Sequence, residues 1–375
     1  MVKRIIEKHI KKRFFKGKAI LIFGPRQVGK TTLLKSLIAS KSNLQWYNAD
    51  EIEVQDLFAQ ASLVNFKSFI QSGNIIVIDE AQNIKDIGLK LKIIIDNIPD
   101  VQLLVSGSSS FELINHLAEP LTGRKYEYML YPFSFEEMAQ YHGTFEEHKH
   151  LKRRMVFGYY PEVVLKETEA KDLLKLLTRS YLYKDILIWQ KIKKSDKLIK
   201  LLQALAYQIG NQVSYNELGQ LTGLDNETVE NYIILLEQSY VIFRLPTFSR
   251  NLRNELKRSR KIYFYDVGIR NALIGNFNNI EQRNDVGALW ENFMISERIK
   301  FTDYHQIYTN RYFWRTHAQQ EIDYIEEREG NLFAYEFKWN TRKKAKIPKS
   351  FIKAYPRAEA KIITPENYLE FIMRD

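Results

Sequence analysis

Gly24-Pro25-Arg26-Gln27-Val28-Gly29-Lys30-Thr31, directly after the apolar run Ala19-Ile20-Leu21-Ile22-Phe23, has the residue types and spacing of a phosphate-binding loop. A glycine, four residues and then Gly-Lys-Thr let successive backbone N–H groups point into one hollow, with the positive end of a following helix behind them. Lys30 then reaches the β- and γ-phosphates of a nucleotide, the Thr31 hydroxyl ligates Mg²⁺, and Thr32 joins Gly24 through Thr31 as a nucleotide-binding residue. About fifty residues on, Ile75-Ile76-Val77-Ile78-Asp79-Glu80 is a strand-length apolar run ending in two carboxylates. Asp79 suits the metal; Glu80 suits the water that attacks the γ-phosphorus, as a base or an orienting group. Ser106-Gly107-Ser108-Ser109-Ser110 is small and polar where a γ-phosphate could be sensed, and Ser108 is the hydroxyl assigned to the nucleotide. Arg124, in Leu121-Thr122-Gly123-Arg124, has three roles open to it: in its own site, as a finger on a neighbour's nucleotide, or facing solvent.

A second constellation lies near the carboxyl end. Gln320–Ile325 and Leu332–Asn340 read as two strands joined by a turn at Arg328-Glu329-Gly330-Asn331. On the second, Phe333, Tyr335, Phe337 and Trp339 share one side and Glu336 and Lys338 the other. Asp323 and Glu336 with Lys338 form a candidate Mg²⁺ site for phosphodiester chemistry, and Glu291 in Leu289-Trp290-Glu291-Asn292-Phe293 is a further acid within reach.

The elements that must position these residues follow from patterning. Strand signals at 19–23, 44–48, 75–79, 102–106 and 126–130 alternate with helical ones, including a stripe of Leu33, Leu34, Leu37 and Ile38, which predicts a mostly parallel sheet with ligand at its carboxyl ends. From about 140 to 195 the pattern is helical, broken at Gly158-Tyr159-Tyr160-Pro161-Glu162, with Leu173, Leu174, Leu176, Leu177, Tyr181 and Leu182 expected in a core. Residues 144–152 read as a charged insert that holds His148 and His150, and a second sensor at Arg153 or Arg154 is not assigned. Residues 198 to about 265 suggest a helix-turn-helix with a wing: segments beginning near Leu198 and Ser214, a turn capped by Asp225, a third segment from Asn226 to Gln238 with Val229, Ile233 and Leu236 inward, then two strands.

The 375 residues carry a net charge of +11, with basic concentrations at 3–18, 244–270 and 338–361. That balance points to a polyanionic partner, nucleic acid and most naturally DNA. The chain has no cysteine, so disulfides and thiolate metal sites are excluded and a cytoplasmic setting is expected. Its apolar runs fall far below the roughly 20 residues that span a bilayer, so no membrane helix is expected. Residues 1–18 are basic and place Val2, Ile5, Ile6, Ile10 and Phe14 on one helical face, without the continuous apolar stretch of a secretory signal.

Taken in order, the loop at Gly24, Asp79-Glu80-Ala81-Gln82, Leu121-Thr122-Gly123-Arg124, Gly158-Tyr159-Tyr160-Pro161-Glu162-Val163, and Glu321-Ile322-Asp323 with Glu336-Phe337-Lys338 resemble prokaryotic AAA+-type P-loop ATPases with a C-terminal DUF4143 domain. The resemblance implies an α/β fold: a P-loop ATPase core over 1–135, a helical lid over 136–197, a winged-helix segment over 198–270, and a restriction-endonuclease-like PD-(D/E)xK domain over 271–375. It implies ATP hydrolysis with Mg²⁺, Asp323, Glu336 and Lys338 at nuclease-type positions with Glu291 as the helical acid, and Arg124 at an arginine-finger position in a homo-oligomer. The function expected is an ATPase that acts on DNA and carries a metal-dependent nuclease site. The alternative is a nucleotide-gated switch whose last domain only binds nucleic acid or a partner protein.

Overall fold

The computed structural model describes residues 1–39, 41–59, 62–71, 73–108, 120–181, 195–249, 260–316, 318–341 and 346–374. Ser109, Ser110, Leu182, Arg250, Arg253, Lys257 and Arg258 lie outside the described residues. The chain forms two compact units: Met1–Pro132 with Gln238–Tyr240, and Phe133–Glu237 with Val241–Asp375.

Five strands make the sheet of the first unit: β1 (Ala19–Phe23), β2 (Leu44–Asn48), β3 (Ile75–Asp79), β4 (Gln102–Gly107) and β5 (Lys125–Met129). Their order is β2-β3-β4-β1-β5, and every neighbouring pair is parallel, as the alternation of strand and helix signals predicts. β1 and β3 are buried at every residue because helices cover both faces, so the strands read as unbroken apolar runs. The crossovers include α2 (Lys30–Ile38), α3 (Ile52–Ala59), α4 (Leu63–Phe69) and α5 (Ile87–Asn97). In α2 the expected stripe is the buried face: Leu33, Leu34, Leu37 and Ile38 all pack inward, and each leucine contributes about 1.5–3 kcal/mol by leaving water. α1 (Glu7–Lys11) precedes β1, and Val2, Ile6 and Ile10 of the basic segment are buried.

The second unit opens with α6 (Phe135–His142), α7 (Thr144–Phe157), α8 (Pro161–Leu165) and α9 (Ala170–Tyr181). Ser134 and Glu137 cap α6 reciprocally, so its first amides are satisfied. Residues 144–152 are helical and form most of α7, whose charge pattern conceals a buried Glu147 ion-paired with buried Arg154 at 2.9 Å. Leu174 and Leu177 are core residues as expected, whereas Leu176 lies 62% exposed on the opposite face of α9.

Next come α10 (Ser195–Tyr207), β6 (Gln212–Val213), α11 (Tyr215–Thr222), α12 (Asn226–Gln238), β7 (Ile242–Pro246) and β8 (Arg260–Phe264). The strands form an antiparallel sheet in the order β6-β8-β7. Asp225 accepts the Thr228 N–H at 2.8 Å, and Val229, Ile233 and Leu236 are buried, both as the spacing predicts. After α13 (Val267–Leu273) and α14 (Val286–Tyr304), a four-stranded sheet holds β9 (Asn310–Arg315), β10 (Glu321–Arg328), β11 (Asn331–Phe337) and β12 (Glu359–Ile363) in the order β12-β11-β10-β9. The sequence pattern supplies β10 and β11; β9 and the parallel partner β12 are additions. β11 stops at Phe337, so Lys338 and Trp339 lie just past the strand, where Trp339 meets Trp290 edge to face at 5.3 Å.

Candidate active site

Three adjacent strands deliver the first site. β4 lies between β1 and β3, with Ile22 in register with Ser106 and Ile78 with Val105, so Ser106 sits beside Asp79. The Thr31 hydroxyl donates to Asp79 Oδ2 at 2.7 Å, and the Ser106 hydroxyl donates to Asp79 Oδ1. Asp79 is only 5% exposed, and these two hydroxyls together with the Glu80 N–H, which donates to Oδ1 at 3.2 Å, hold its carboxylate in place. The loop before α2 closes over the end of β1. A Cβ on Gly24, at φ +154°, would lie 2.1 Å from the Leu130 carbonyl oxygen, so backbone passes where a side chain cannot. Lys30, the first residue of α2, donates to the carbonyls of Gly24 and Pro25, 3.0 Å each, which curls its ammonium over the loop. A hydroxyl and a carboxylate oxygen 2.7 Å apart beside a lysine and a helix N-terminus fit a hard cation with a triphosphate, which take oxygen ligands and amide donors.

Glu80 stands in the left-handed region at φ +53°, a conformation that costs a non-glycine residue free energy and redirects its side chain as the strand ends. Gln82, which the sequence offers only as part of the Asp79-Glu80-Ala81-Gln82 motif and without a role, joins two parts of this site: its amide donates to Glu80 Oε2 at 2.6 Å, and its carbonyl accepts the Ser108 N–H at 3.1 Å. Arg4 was missed. Its guanidinium donates to the Val28 carbonyl at 3.1 Å and to the Tyr131 carbonyl at 2.6 Å, bracing the phosphate loop from beneath. An arginine in a basic amphipathic segment carries no sequence signal for that role.

Arg124 lies at the other end of the sheet. β1 and β5 run parallel with Ala19 opposite Lys125 and Phe23 opposite Met129, so Arg124 precedes the amino end of β5 while the loop follows the carboxyl end of β1. Five residues of strand separate them, about 16 Å. That distance removes the role in its own site. The side chain pairs with Asp96 at 2.6 Å, and this hydrogen bond holds the guanidinium pKa above its usual value.

The second cluster assembles much as the strand pattern predicts, with one participant that the pattern did not supply. One step beyond the paired Tyr324 and Tyr335, Asp323 faces Glu336 across the strands. Asp323 Oδ2 accepts the Phe337 N–H at 2.9 Å, and Lys338 donates to Glu336 Oε1 at 2.7 Å. Burial, then the neighbouring Glu291 and Glu336 carboxylates, push the Asp323 carboxyl well above its ordinary range. Burial also raises Glu336, against the pull of Lys338, and Glu336 Oε2 is buried without a hydrogen-bond partner. The addition is Lys261 of β8, only 1% exposed. Its ammonium donates to Glu291 Oε1 at 3.0 Å and pairs with Glu321. Burial works to lower the Lys261 pKa, but Glu291, Asp323 and Glu321 together raise it. These acids therefore do not fit a divalent ion as they stand, because a cation is already among them. Among the described residues, no group of three or more His, Asp or Glu side chains is arranged to hold a metal.

His148 and His150 of the 144–152 segment, and His142 just before it, have local partners: His142 with Glu147 at 2.7 Å, His148 with the Tyr368 hydroxyl at 2.9 Å, and His150 with Glu167 at 4.0 Å. The Gly158-Tyr159-Tyr160-Pro161 break is structural. Asp266 accepts the Tyr159 N–H at 2.7 Å and approaches so closely that a Cβ on Gly158 would overlap it.

Most of the described part of the 244–270 basic concentration is neutralised within the molecule. Arg244 pairs with Glu237, Arg260 meets Glu230 at 3.5 Å, Lys261 is buried among acids, and buried Arg270 pairs with Asp285. α12 itself has Glu227, Glu230 and Glu237 and no lysine or arginine, so it brings no cation of its own to a phosphate backbone. The other two concentrations do face solvent, through Lys3, Lys8, Lys12, Arg13 and Lys16 in the first unit and Lys346, Lys349, Lys353, Arg357 and Lys361 in the second. No helix among the described residues is long and apolar enough to cross a membrane.

Residues 16–139 match the family model described as an AAA domain. Residues 148–280 and 286–370 match two domains of unknown function, DUF8612 and DUF4143. An uncharacterized protein of Mycobacterium tuberculosis is 23% identical over 334 residues, covering 88% of this chain and 72% of that relative. An uncharacterized protein of Methanocaldococcus jannaschii is 23% identical over 268 residues, covering 66% of this chain and 60% of its own length. Among solved structures, the Walker-type ATPase of Pyrococcus abyssi superposes with a TM-score of 0.51 at 14% identity, covering 73% of this chain and 96% of that one. The chain thus has a P-loop-type fold in the region that matches the AAA domain model, followed by two regions whose family models ascribe no activity.

Proposed function

We propose that the first unit binds and hydrolyses ATP and that hydrolysis drives work on nucleic acid. The observation that carries the first part is the Thr31–Asp79 hydrogen bond at 2.7 Å, at the mouth of a loop whose Gly24 leaves no room for a side chain. In this reading the loop amides and Lys30 grip the β- and γ-phosphates, and Thr31 with Asp79 would hold Mg²⁺, which neutralises charge on the phosphate oxygens. Glu80 orients a water at the γ-phosphorus and takes its proton, held on line by the Gln82 amide. Ser106 keeps Asp79 turned toward the metal position, and Ser108 lies where the end of β4 can report on the γ-phosphate. Arg124 serves a neighbouring copy's nucleotide as a finger, which requires a homo-oligomer and release from Asp96.

The nucleic-acid part rests on the solvated lysines and arginines of residues 3–18 and 346–361. The three-helix segment with its small sheet has the element order of a winged helix, serving here as a structural or protein-binding module because α12 is acidic. Asp323, Glu336, Lys338 and Glu291 are given no metal-dependent step, which favours the binding role for the C-terminal domain. The test is steady-state ATP turnover with and without DNA across a salt series. Stimulation by DNA that fades steeply with salt is expected, and turnover indifferent to DNA would sink the nucleic-acid part while leaving the ATPase part standing.

A further inference from the structure

The acid cluster at β10 and β11 is built like a cation site that has been filled from within. Lys261 projects from β8 into it and is 1% exposed, with Glu291 Oε1 at 3.0 Å, Glu321 as a second partner and the Phe313 ring centre 5.5 Å away. The Tyr263 hydroxyl, two residues along the same strand, donates to the same Glu291 oxygen at 2.5 Å. Arg315 meets the other oxygen of Glu321 at 3.1 Å, Lys338 holds Glu336 Oε1 at 2.7 Å, and the Phe337 N–H holds Asp323 Oδ2 at 2.9 Å. Besides the unpartnered Glu336 Oε2, a divalent ion entering here would meet oxygens of Glu291, Glu321, Asp323 and Glu336 that already have partners, and an ammonium fixed within a few ångströms. Three cations (Lys261, Arg315, Lys338) already face four carboxylates (Glu291, Glu321, Asp323, Glu336), so most of the negative charge that would draw in a divalent ion is already answered from within.

We propose that the Lys261 ammonium is the resident cation of this cluster, standing where a nuclease-type site would hold a metal, and that the C-terminal domain acts by binding and not by metal-dependent cleavage. The inference stands on the second unit alone, so its outcome is independent of the ATP experiment. Lys261 also ties β8 of the small sheet to α14 and β10, so the same contact joins the small sheet to the last domain.

The experiment is a Mn²⁺ titration followed by electron paramagnetic resonance, on nucleotide-free full-length chain carrying Thr31→Ala so that the phosphate loop contributes no site. With Lys261 present, no ordered Mn²⁺ and no DNA cleavage are expected. Lys261→Met should create one Mn²⁺ site, tightened by roughly 10–100-fold, the scale on which a neighbouring group tunes a metal site, and Asp323→Asn should remove it. Thermal melting gives a second readout: Mn²⁺ should raise the midpoint of the Lys261→Met chain and leave that of the Lys261 chain unmoved. The inference is overturned if the Lys261 chain binds one Mn²⁺ that Asp323→Asn abolishes, if it cleaves DNA in a Mn²⁺-dependent way, or if folded Lys261→Met binds none. Should Lys261→Met fold only with Mn²⁺ present, that supports the exchange of one cation for another; should it not fold at all, the titration and cleavage assay of the Lys261 chain decide alone.

Discussion

Asp79 and Asp323 are both strand aspartates, 5% and 8% exposed, and both were read from the sequence as metal ligands. Their surroundings differ in kind. Asp79 is met by the neutral hydroxyls of Thr31 and Ser106, which orient a carboxylate without neutralising it and leave its negative charge for an incoming cation. Asp323 stands among Glu291, Glu336 and the ammonium of Lys261, so its charge is opposed by like neighbours and its cluster is balanced from inside. A carboxylate's place on a strand is therefore not enough to mark a metal site: what the neighbouring groups leave unanswered of its charge differs between these two aspartates.

The sharpest way to break the first half of the comparison is Glu80→Gln, which keeps the shape and removes the base. Turnover should fall by about 10²–10⁴-fold with ATP binding retained, read by steady-state kinetics alongside calorimetry; normal hydrolysis would move the base elsewhere. For the second half, Lys261→Met without added metal should cost about 3–5 kcal/mol in chemical denaturation of the second unit, since it strands buried carboxylates. A change under about 1 kcal/mol would mean the cluster is solvated and the contrast false.

A smaller effect is expected at Gln82→Leu. Losing the hydrogen bond that holds Glu80 should slow turnover by about tenfold, roughly 1.4 kcal/mol, with nucleotide affinity unchanged. A matching loss of affinity would show that Gln82 shapes the nucleotide pocket instead. The smallest effect is at Asp323→Asn. Burial and its acidic neighbours keep the folded-state pKa of this carboxyl raised, so the folded chain retains a proton that the unfolded chain releases above about pH 4. The group's contribution to stability is therefore full in acid and declines as pH climbs toward the raised value. At neutral pH the asparagine chain, which still accepts the Phe337 N–H, should melt no lower and up to about 4 °C higher than the parent. A clear fall in melting point would mean that the Asp323 charge stabilises the fold.

The phosphate loop, the Asp79-Glu80 pair and the five parallel strands were legible because each depends on local pattern: glycine spacing, apolar runs and a strand's last residue. Asp323, Glu336 and Lys338 were legible as neighbours for the same reason, since alternation along two hairpin strands sets the face. What escaped were contacts that join distant parts of the chain. Arg4 reaches Val28, and Lys261 reaches Glu291 and Glu321, across separations that no periodicity encodes. Charged residues misled most where they were paired: 144–152 resembled a solvated insert until Glu147 and Arg154 proved to be paired inside, and Arg244 and Arg260 of the second basic concentration meet Glu237 and Glu230 of α12. Net charge by segment reports composition, whereas the field outside depends on which of those charges remain unpaired.

The central claim is that the loop at Gly24 holds a nucleoside triphosphate through Lys30, and isothermal calorimetry with ATP and Mg²⁺ tests it most directly. Saturable binding of one ATP per chain, abolished in a folded Lys30→Ala chain, is the predicted result. A folded parent chain that takes up no ATP, or a Lys30→Ala chain that binds it equally well, would contradict the account.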